Sequence, residues 1–338
     1  STLDRLTDAS GNWEVYASVL EQVAQGQTDE PAVAVQLLLR VADVIYNRLQ
    51  KPLDALTHYQ DILGRFDPQN AAALAATETI YRETEQWDEL VDVLHGKLER
   101  GGISADDEKS LRLELAAVWR DQLDEPEAAM GVYRELMTRF PDELSVYDEL
   151  ANLHLQLEDW DRLDEVLRRK LSRLVDDGES SASDLANLHC RLGMLAYSAR
   201  SDIGTTVEHY TDALVADAEC ALAVQCLEEL LASDEHRGAI ARVLEPVYRA
   251  SERWSMVVDA LEIQLGDTTQ KRGQVRLLNE LIRLYSGESK DAEKALYASA
   301  RLLRLDPNKK SLHAGIESLV EELGDWAALV DLYETEAE

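Results

Sequence analysis

Four tryptophans recur at long, similar intervals along this chain of 338 residues. Trp87, Trp160, Trp254 and Trp326 each begin a helix-like segment such as WDELVDVL, and the steps between them are 73, 94 and 72 residues. A period of this size is typical of stacked helical hairpins rather than of one closed globule. The sequence therefore predicts an array of repeats, and the functional question becomes what such an array holds.

The composition favours an all-α fold. Only 16 Gly and 7 Pro occur in the chain, and 45% of the residues are hydrophobic, which is enough for a continuous core. No run of 18 or more apolar residues is present, so we expect no insertion into a membrane.

Aligned on the tryptophans, the chain divides into repeats of four amphipathic helices. Repeat 1 reads LLLRVADVIYNRLQ, KPLDALTHYQDILGRF, DPQNAAALAATETIYRETEQ and WDELVDVLHGKLER, with apolar residues three and four positions apart. Pro52 and Pro126 suit the first turn of a second helix, and Pro68, Pro141 and Pro307 interrupt the chain before a third. The predicted boundaries within one array, 1–338, are 1–30 for the end of a preceding repeat, then 31–104, 105–179, 180–268 and 269–338 for repeats 1 to 4.

Repeat 3 is longer than the others. Tyr197 and Trp254 are 57 residues apart, whereas Tyr46 and Trp87 are separated by 41, a surplus of 16 that we place near 233–252. An added helix there would reverse the alternation of inner and outer helices, and Pro246 would kink or begin a helix. The alternative is two longer, irregular helices joined by a loop without functional meaning.

Tyr46, Ala55, Tyr59 and Pro68 follow one another in an order that resembles the tetratricopeptide repeat, a pair of antiparallel helices of about 34 residues. The small residue expected in the first helix is represented by Ala42, beside Asp43, and by Gly193 in repeat 3. The chain is similar to long bacterial arrays of this family. The resemblance implies a right-handed α-solenoid of about 17–19 helices, whose first helices line a concave groove.

Charge limits the choice of partner. The chain carries 34 basic and 66 acidic residues, for a net charge of −32, and the acidic residues are spread along its whole length. A field of this sign repels a phosphate backbone, so we expect no nucleic-acid partner. The acidic residues are interpreted as a solvated outer surface that keeps the array soluble.

The sequence offers no chemistry of catalysis. Its seven histidines form no close metal-ligand pair, and no nucleotide-binding or nucleophile motif occurs, so neither an enzyme nor a cofactor or metal site is predicted. His154 stands where Tyr81 does in the preceding repeat and is interpreted as a packing residue. The tryptophans could form a ligand cage, but packing between repeats is the favoured role.

The resemblance also indicates where a partner would bind. Groove-facing positions mapped from Tyr46, Tyr197 and Tyr285, together with one residue from a second hairpin, are basic or carry amides: Arg40, Asn47, Arg48, Asn152, Arg191, Asn279 and Arg283. Such side chains suit carboxylates, so we expect a protein or peptide partner with an acidic segment. Glu114 and Asp121 break the pattern in repeat 2, which leaves intramolecular pairs between arginine and carboxylate across neighbouring helices as the alternative.

The predicted function is a non-enzymatic scaffold for protein–protein interaction, cut from a larger bacterial protein and expected in the cytoplasm. Two alternatives are a purely structural acidic spacer and a regulatory domain that senses a ligand in a pocket near 233–252. A helical enzyme would need a convergent cluster of His, Asp and Glu, which the linear sequence does not indicate.

Overall fold

The computed structural model describes residues 7, 11–26, 30–178, 181–232, 236–307, 310–324 and 326–327. These residues form 17 helices, and no strand occurs among them. The first nine are α1 Trp13–Gln25, α2 Pro31–Asn47, α3 Pro52–Asp61 with a π-helical turn at Ile62–Phe66, α4 Ala71–Glu83, α5 Trp87–Arg100, α6 Ala105–Asp121, α7 Pro126–Arg139, α8 Leu144–Gln156 and α9 Trp160–Asp177. The remaining eight are α10 Ala182–Arg200, α11 Ile203–Ala216, α12 Ala221–Leu230, α13 Arg237–Ala250, α14 Trp254–Asp267, α15 Lys271–Ser286, α16 Ala292–Leu305 and α17 Lys310–Leu323.

The chain groups into two compact bodies, an N-terminal body of residues 1–153 and a C-terminal body of residues 154–338. Within each body, helices pack mainly on their neighbours in sequence. The predicted all-α fold of successive hairpins is confirmed, and the number of described helices agrees with the 17–19 expected.

Contacts between consecutive helices show that they run antiparallel. In the N-terminal body, Arg112 of α6 lies 3.6 Å from Glu135 of α7, and Arg139 of α7 lies 2.7 Å from Glu108 of α6. As the position rises along one helix it falls along the other, which is the pattern of an antiparallel pair.

Prolines and tryptophans mark helix starts as predicted. Pro52 and Pro126 each occupy the first turn of a helix, where a missing backbone N–H costs nothing. Trp87, Trp160 and Trp254 are the first residues of α5, α9 and α14. Trp254 is partly buried against the core of the C-terminal body, which supports the packing role.

A left-handed residue precedes each of these tryptophans by two positions. Glu85, Glu158 and Glu252 have φ of 56°, 54° and 56°. In each case the next N–H bonds back across the turn, at 2.9 Å, to the carbonyl of Tyr81, His154 or Tyr248, respectively. This six-to-one hydrogen bond is the Schellman termination of a helix, and it fixes the spacing of six residues between the aromatic or histidine position and the tryptophan.

Repeat 3 contains five helices where repeats 1 and 2 contain four. The helix α12 begins as α4 does, because Asp67 and Asp217 each accept a hydrogen bond from the N–H two residues later, at 3.1 and 3.0 Å. The helix α13 ends as α4 does, with Tyr248 in the place of Tyr81. Two helices therefore stand where the other repeats have a single third helix.

Pro246 lies inside α13, which begins at Arg237, so it does not begin a helix, and that it kinks α13 stays a prediction. Residues 233–235, at the start of the predicted insertion, lie outside the described residues. That the segment interrupts regular stacking stays a prediction.

Candidate interaction surface

The predicted binding residues of α2 contact groups of the chain itself. The guanidinium of Arg40 lies 2.8 Å from one carboxylate oxygen of Asp43, and the amide of Asn47 donates to the other at 2.7 Å. Arg48 stacks over the Trp13 ring, 5.0 Å from its centroid. The Arg40 contact lies within one helix and the Arg48 contact is with an aromatic ring, so neither is a pair of arginine and carboxylate across neighbouring helices.

The other predicted residues are distributed over three helices. Asn152 is exposed on α8, Arg191 is half-buried on α10, and Arg283 is exposed on α15. The amide of Asn279 donates to the backbone carbonyl of Val275 within its own helix. That these seven residues act together as one binding surface stays a prediction.

Hydrogen bonds and ion pairs between the first helices of successive hairpins define a common face. In the N-terminal body, Tyr46 donates to Glu83 at 2.6 Å, and Arg82 donates through Nε to Glu114 at 3.1 Å. Arg120 of α6 pairs with Glu149 of α8 in the same way. We call the side of α2, α4, α6 and α8 that carries these residues the A-helix face.

The C-terminal body repeats this arrangement. Arg249 of α13 lies 2.6 Å from Glu280 of α15, and Arg249 stands in the position of Arg82 relative to the following tryptophan. The helix α13 therefore takes the place of a first helix, and α13 and α15 carry the A-helix face here. By register with α2, we assign the corresponding side of α10 to the A-helix face.

These pairs set register more than they add stability. The side chains of Arg82 and Glu114 are 39% and 35% exposed, and a pair in such an environment contributes about 0–1 kcal/mol. Their glutamates neutralise arginines that would otherwise attract an acidic partner. Glu114, which broke the predicted basic pattern, is one of these internal partners.

An apolar cleft opens on the A-helix face of the C-terminal body. It has a volume of about 270 Å³ and lies among α10, α11 and α12. Its lining residues are Met194, Tyr197, Ser198, Tyr210, Cys226, Glu229 and Leu230. Met194 and Tyr197 are each 51% exposed, so two large apolar side chains stand at its mouth.

The inner wall of this cleft is rigid. Tyr210 is 3% exposed and its ring lies against Gly193, where an added Cβ would come within 3.0 to 3.2 Å of ring atoms. Burial, and a hydrogen bond with Cys226, raise the pKa of the Tyr210 hydroxyl. The hydroxyl therefore stays protonated at neutral pH, and the wall presents no negative charge.

In the sequence, Tyr197 served only to measure the length of repeat 3, and the cleft was not predicted. The exposed pair of Met194 and Tyr197, three residues apart on one helix side, is the signal that was available. Glu229 and Cys226 approach them from a helix about 30 residues further along, which the pattern of a single helix cannot reveal. His154, by contrast, is 2% exposed, as expected of a packing residue.

Comparison with known proteins finds a family match in one part of the chain. Residues 146–182 match the family model of the tetratricopeptide repeat. This match confirms the predicted resemblance to that family, at residues other than those on which the prediction was based. Tetratricopeptide repeats are helical scaffolds for protein–protein interaction. No curated protein matches the chain.

Solved structures of the same class resemble the chain at low identity. YrrB, described as a tetratricopeptide repeat protein with an unusual peptide-binding site, is 15% identical, with 63% of this chain and 99% of that one covered and a TM-score of 0.33. A tetratricopeptide repeat protein from Parabacteroides merdae is 10% identical over 85% and 98% of the two chains, with a TM-score of 0.31. The C-terminal part of one from Cytophaga hutchinsonii is 12% identical over 82% and 99%, with a TM-score of 0.34.

Among the helices that the structure describes, none has the length and apolar character needed to cross a membrane.

Proposed function

We propose that the chain is a non-enzymatic scaffold that binds a peptide segment of a partner protein on the A-helix face of its C-terminal body. The observation that carries this proposal is the apolar cleft at Met194 and Tyr197. Half-exposed methionine and tyrosine side chains beside a buried tyrosine wall offer apolar area that a monomer leaves in water. A peptide residue seated between them would remove that area from solvent.

The cleft suits one large apolar side chain. A volume of about 270 Å³ has room for a leucine, methionine or phenylalanine side chain but not for a helix. The proposed partner is therefore an extended or turn-forming segment with a single apolar anchor. Full burial of such a side chain contributes about 1.5–3 kcal/mol, or roughly 10- to 150-fold in Kd.

The side chains of α10 indicate which charge is favoured in the peptide residues beside the apolar anchor. Arg191 lies one turn before Met194, so a carboxylate beside the anchor would come near a guanidinium. Glu229 lies on the opposite side of the cleft and would repel a carboxylate there. The acidic segment predicted from the sequence is thus proposed only for the Arg191 side of the anchor.

Selection from a displayed library of random 12-residue peptides tests this proposal. We expect the enriched peptides to share one large apolar residue and to lose at least tenfold in affinity, by fluorescence anisotropy, on Met194→Glu and Tyr197→Ala. Arg191→Glu should weaken only peptides with acidic flanks.

Tyr297→Ala is the matched control, since Tyr297 is an exposed tyrosine, 66% accessible, on α16, away from the cleft. It should leave affinity unchanged. Failure to enrich any peptide, or equal affinities for wild type and both cleft variants, would support the acidic spacer instead.

The cytoplasm is the proposed setting. The three cysteines, Cys190, Cys220 and Cys226, form no C-x-x-C pair, and their odd, sparse count gives no disulfide framework of the kind typical of secreted proteins.

A further inference from the structure

Two histidines and an aspartate converge on the hairpin of α10 and α11. The Nδ1 atoms of His189 and His209 are 3.5 Å apart, and Nδ1 of His189 is 3.7 Å from Oδ2 of Asp212. One potential ligand atom from each of the three residues lies within 4.8 Å of the other two. His189 comes from α10 and the other two from α11, so the hairpin fold brings together residues that are far apart in sequence.

This spacing fits a tetrahedral metal ion. With zinc–nitrogen bonds of about 2.0–2.1 Å, two ligand atoms on a tetrahedral centre are roughly 3.3–3.4 Å apart. The separations of 3.5 and 3.7 Å exceed that value by a few tenths of an ångström, and the third, between His209 and Asp212, is at most 4.8 Å. Side-chain rotations that shorten these distances would place all three atoms around one ion.

A hydrogen bond is a poorer explanation of the same contact. Two nitrogen atoms 3.5 Å apart lie at the outer limit of hydrogen bonding, so a hydrogen bond between them would be weak. An ion between them would satisfy both nitrogen lone pairs at once.

The two imidazoles are shielded from solvent. The side chain of His189 is 15% exposed and His209 is 8% exposed. An ion between them would therefore be held in a largely buried position, open to solvent only on the side of Asp212.

Charges around the site are nearly balanced. Asp212 lies close to both histidines and is 56% exposed, so its carboxylate stands at the entrance. From α9, Arg168 approaches His209, but its guanidinium is held by Asp164 at 2.9 Å. The donor set of two imidazoles and one carboxylate therefore keeps the negative charge that favours a divalent cation.

We propose that His189, His209 and Asp212 form a binding site for a divalent transition-metal ion, with Zn²⁺ preferred. Nitrogen and oxygen ligands in tetrahedral arrangement suit zinc better than magnesium or calcium, which prefer six or more oxygen ligands. Three protein ligands leave a fourth position, on the solvent side next to Asp212, for water or a donor from a partner. Such a site would join α10 to α11 next to Tyr210, which lines the cleft.

Titration of the full chain with Co²⁺ and Zn²⁺ tests the proposal. Tetrahedral Co²⁺ absorbs visible light far more strongly than the octahedral aqua ion, so the spectrum reports coordination geometry. The titration contains excess Mg²⁺, because the acidic surface would otherwise bind cations weakly at many places. We expect one equivalent of Co²⁺ with a tetrahedral spectrum, bleached by one equivalent of Zn²⁺.

Ligand variants locate the ion. His189→Asn, His209→Gln and Asp212→Asn should each weaken Zn²⁺ binding at least tenfold, a lower limit taken from the effect of outer-shell changes. His95→Gln, at an exposed histidine of α5, is the matched control and should leave the affinity unchanged. Because Asp212 is half exposed, Asp212→Asn should keep the fold, which circular dichroism verifies.

Absence of a tetrahedral Co²⁺ spectrum would overturn the proposal, as would equal Zn²⁺ affinity for wild type and Asp212→Asn. Peptide binding at the cleft is measured separately, so either proposal can fail alone.

Discussion

The contact between α13 and α14 makes a sharp prediction about a glycine. Gly238, near the start of α13, faces Asp267, the last residue of α14. A Cβ added at Gly238 would lie 2.2 Å from Oδ2, 2.4 Å from Cγ and 2.8 Å from Cβ of Asp267. All three distances are shorter than atoms tolerate, and the third cannot be relieved by rotating the aspartate side chain.

Two opposing effects decide whether Gly238→Ala stabilises or destabilises the pair of α13 and α14. Alanine is a better helix former than glycine by up to about 1 kcal/mol, and by less at the second position of a helix. Overpacking costs about 1–3 kcal/mol. The ion pair between Arg242 and Asp267 is half exposed and contributes too little to change the balance. We therefore expect Gly238→Ala to lower the free energy of local unfolding of α13 and α14 by about 1–2 kcal/mol.

Native-state hydrogen exchange of α13 and α14, followed by mass spectrometry, is the suitable assay. An array of repeats unfolds locally, so a single global midpoint does not isolate one helix pair. Gly131→Ala is the control, because Gly131 lies in α7 with no atom within 4 Å of the added Cβ. It should increase protection of α7 by about 0.5–1 kcal/mol.

A second substitution isolates the contact. Asp267→Gly removes every atom that the new methyl group would meet, so most of the loss in Gly238→Ala should disappear in the double variant. Increased protection of α13 in Gly238→Ala alone, as in the control, would refute the reasoning.

Two further predictions concern charged groups. Lys97→Met should destabilise the contact between α4 and α5 by about 2–3 kcal/mol, because it leaves the Glu78 carboxylate, 9% exposed, with only Arg82 at 3.7 Å; adding Glu78→Gln should recover most of the loss in urea denaturation. Hydrogen bonds from the backbone N–H groups of Thr205 and Lys294 lower the pKa of Asp202 and Asp291, so their stabilisation of α11 and α16 is present above the unfolded pKa near 3.8 and is lost as pH falls through the lower folded values. Amide exchange at Thr205 and Lys294 should rise in acid, and Asp202→Asn should remove that dependence at Thr205 while Lys294 keeps it.

Local pattern was enough to predict the helices and most of their starts. Apolar spacing and the prolines depend on residues within one or two turns, so Pro52 and Pro126 could be placed from the sequence alone. The left-handed turn residues could not. Glutamate is unusual at positive φ, and only Gly324, which holds the same position before Trp326 at φ 70°, hints at the requirement.

For contacts between helices, the sequence predicted the type of contact but not which residues form it. The sequence suggested intramolecular pairs between arginine and carboxylate, but not that Arg82 would meet Glu114, 32 residues away. Which arginine meets which carboxylate on the next hairpin depends on the angle and register of neighbouring helices. The spacing of residues along one sequence does not reveal that angle or register. The same limit concealed His189 and His209, whose ligand atoms meet only because their helices are antiparallel neighbours.

The spacing along α10 explains how one hairpin can carry two sites. His189, Gly193 and Tyr197 follow at intervals of four residues and therefore lie on adjacent turns of one side of the helix. His189 reaches the proposed metal ligands, Tyr197 borders the cleft, and Gly193 between them lets the Tyr210 ring approach. Because Tyr210 also forms the wall of the cleft, the contact that closes the hairpin shapes the proposed binding site. A larger residue at position 193 would displace the Tyr210 ring, and so change the cleft, more than it would disturb the ends of α10.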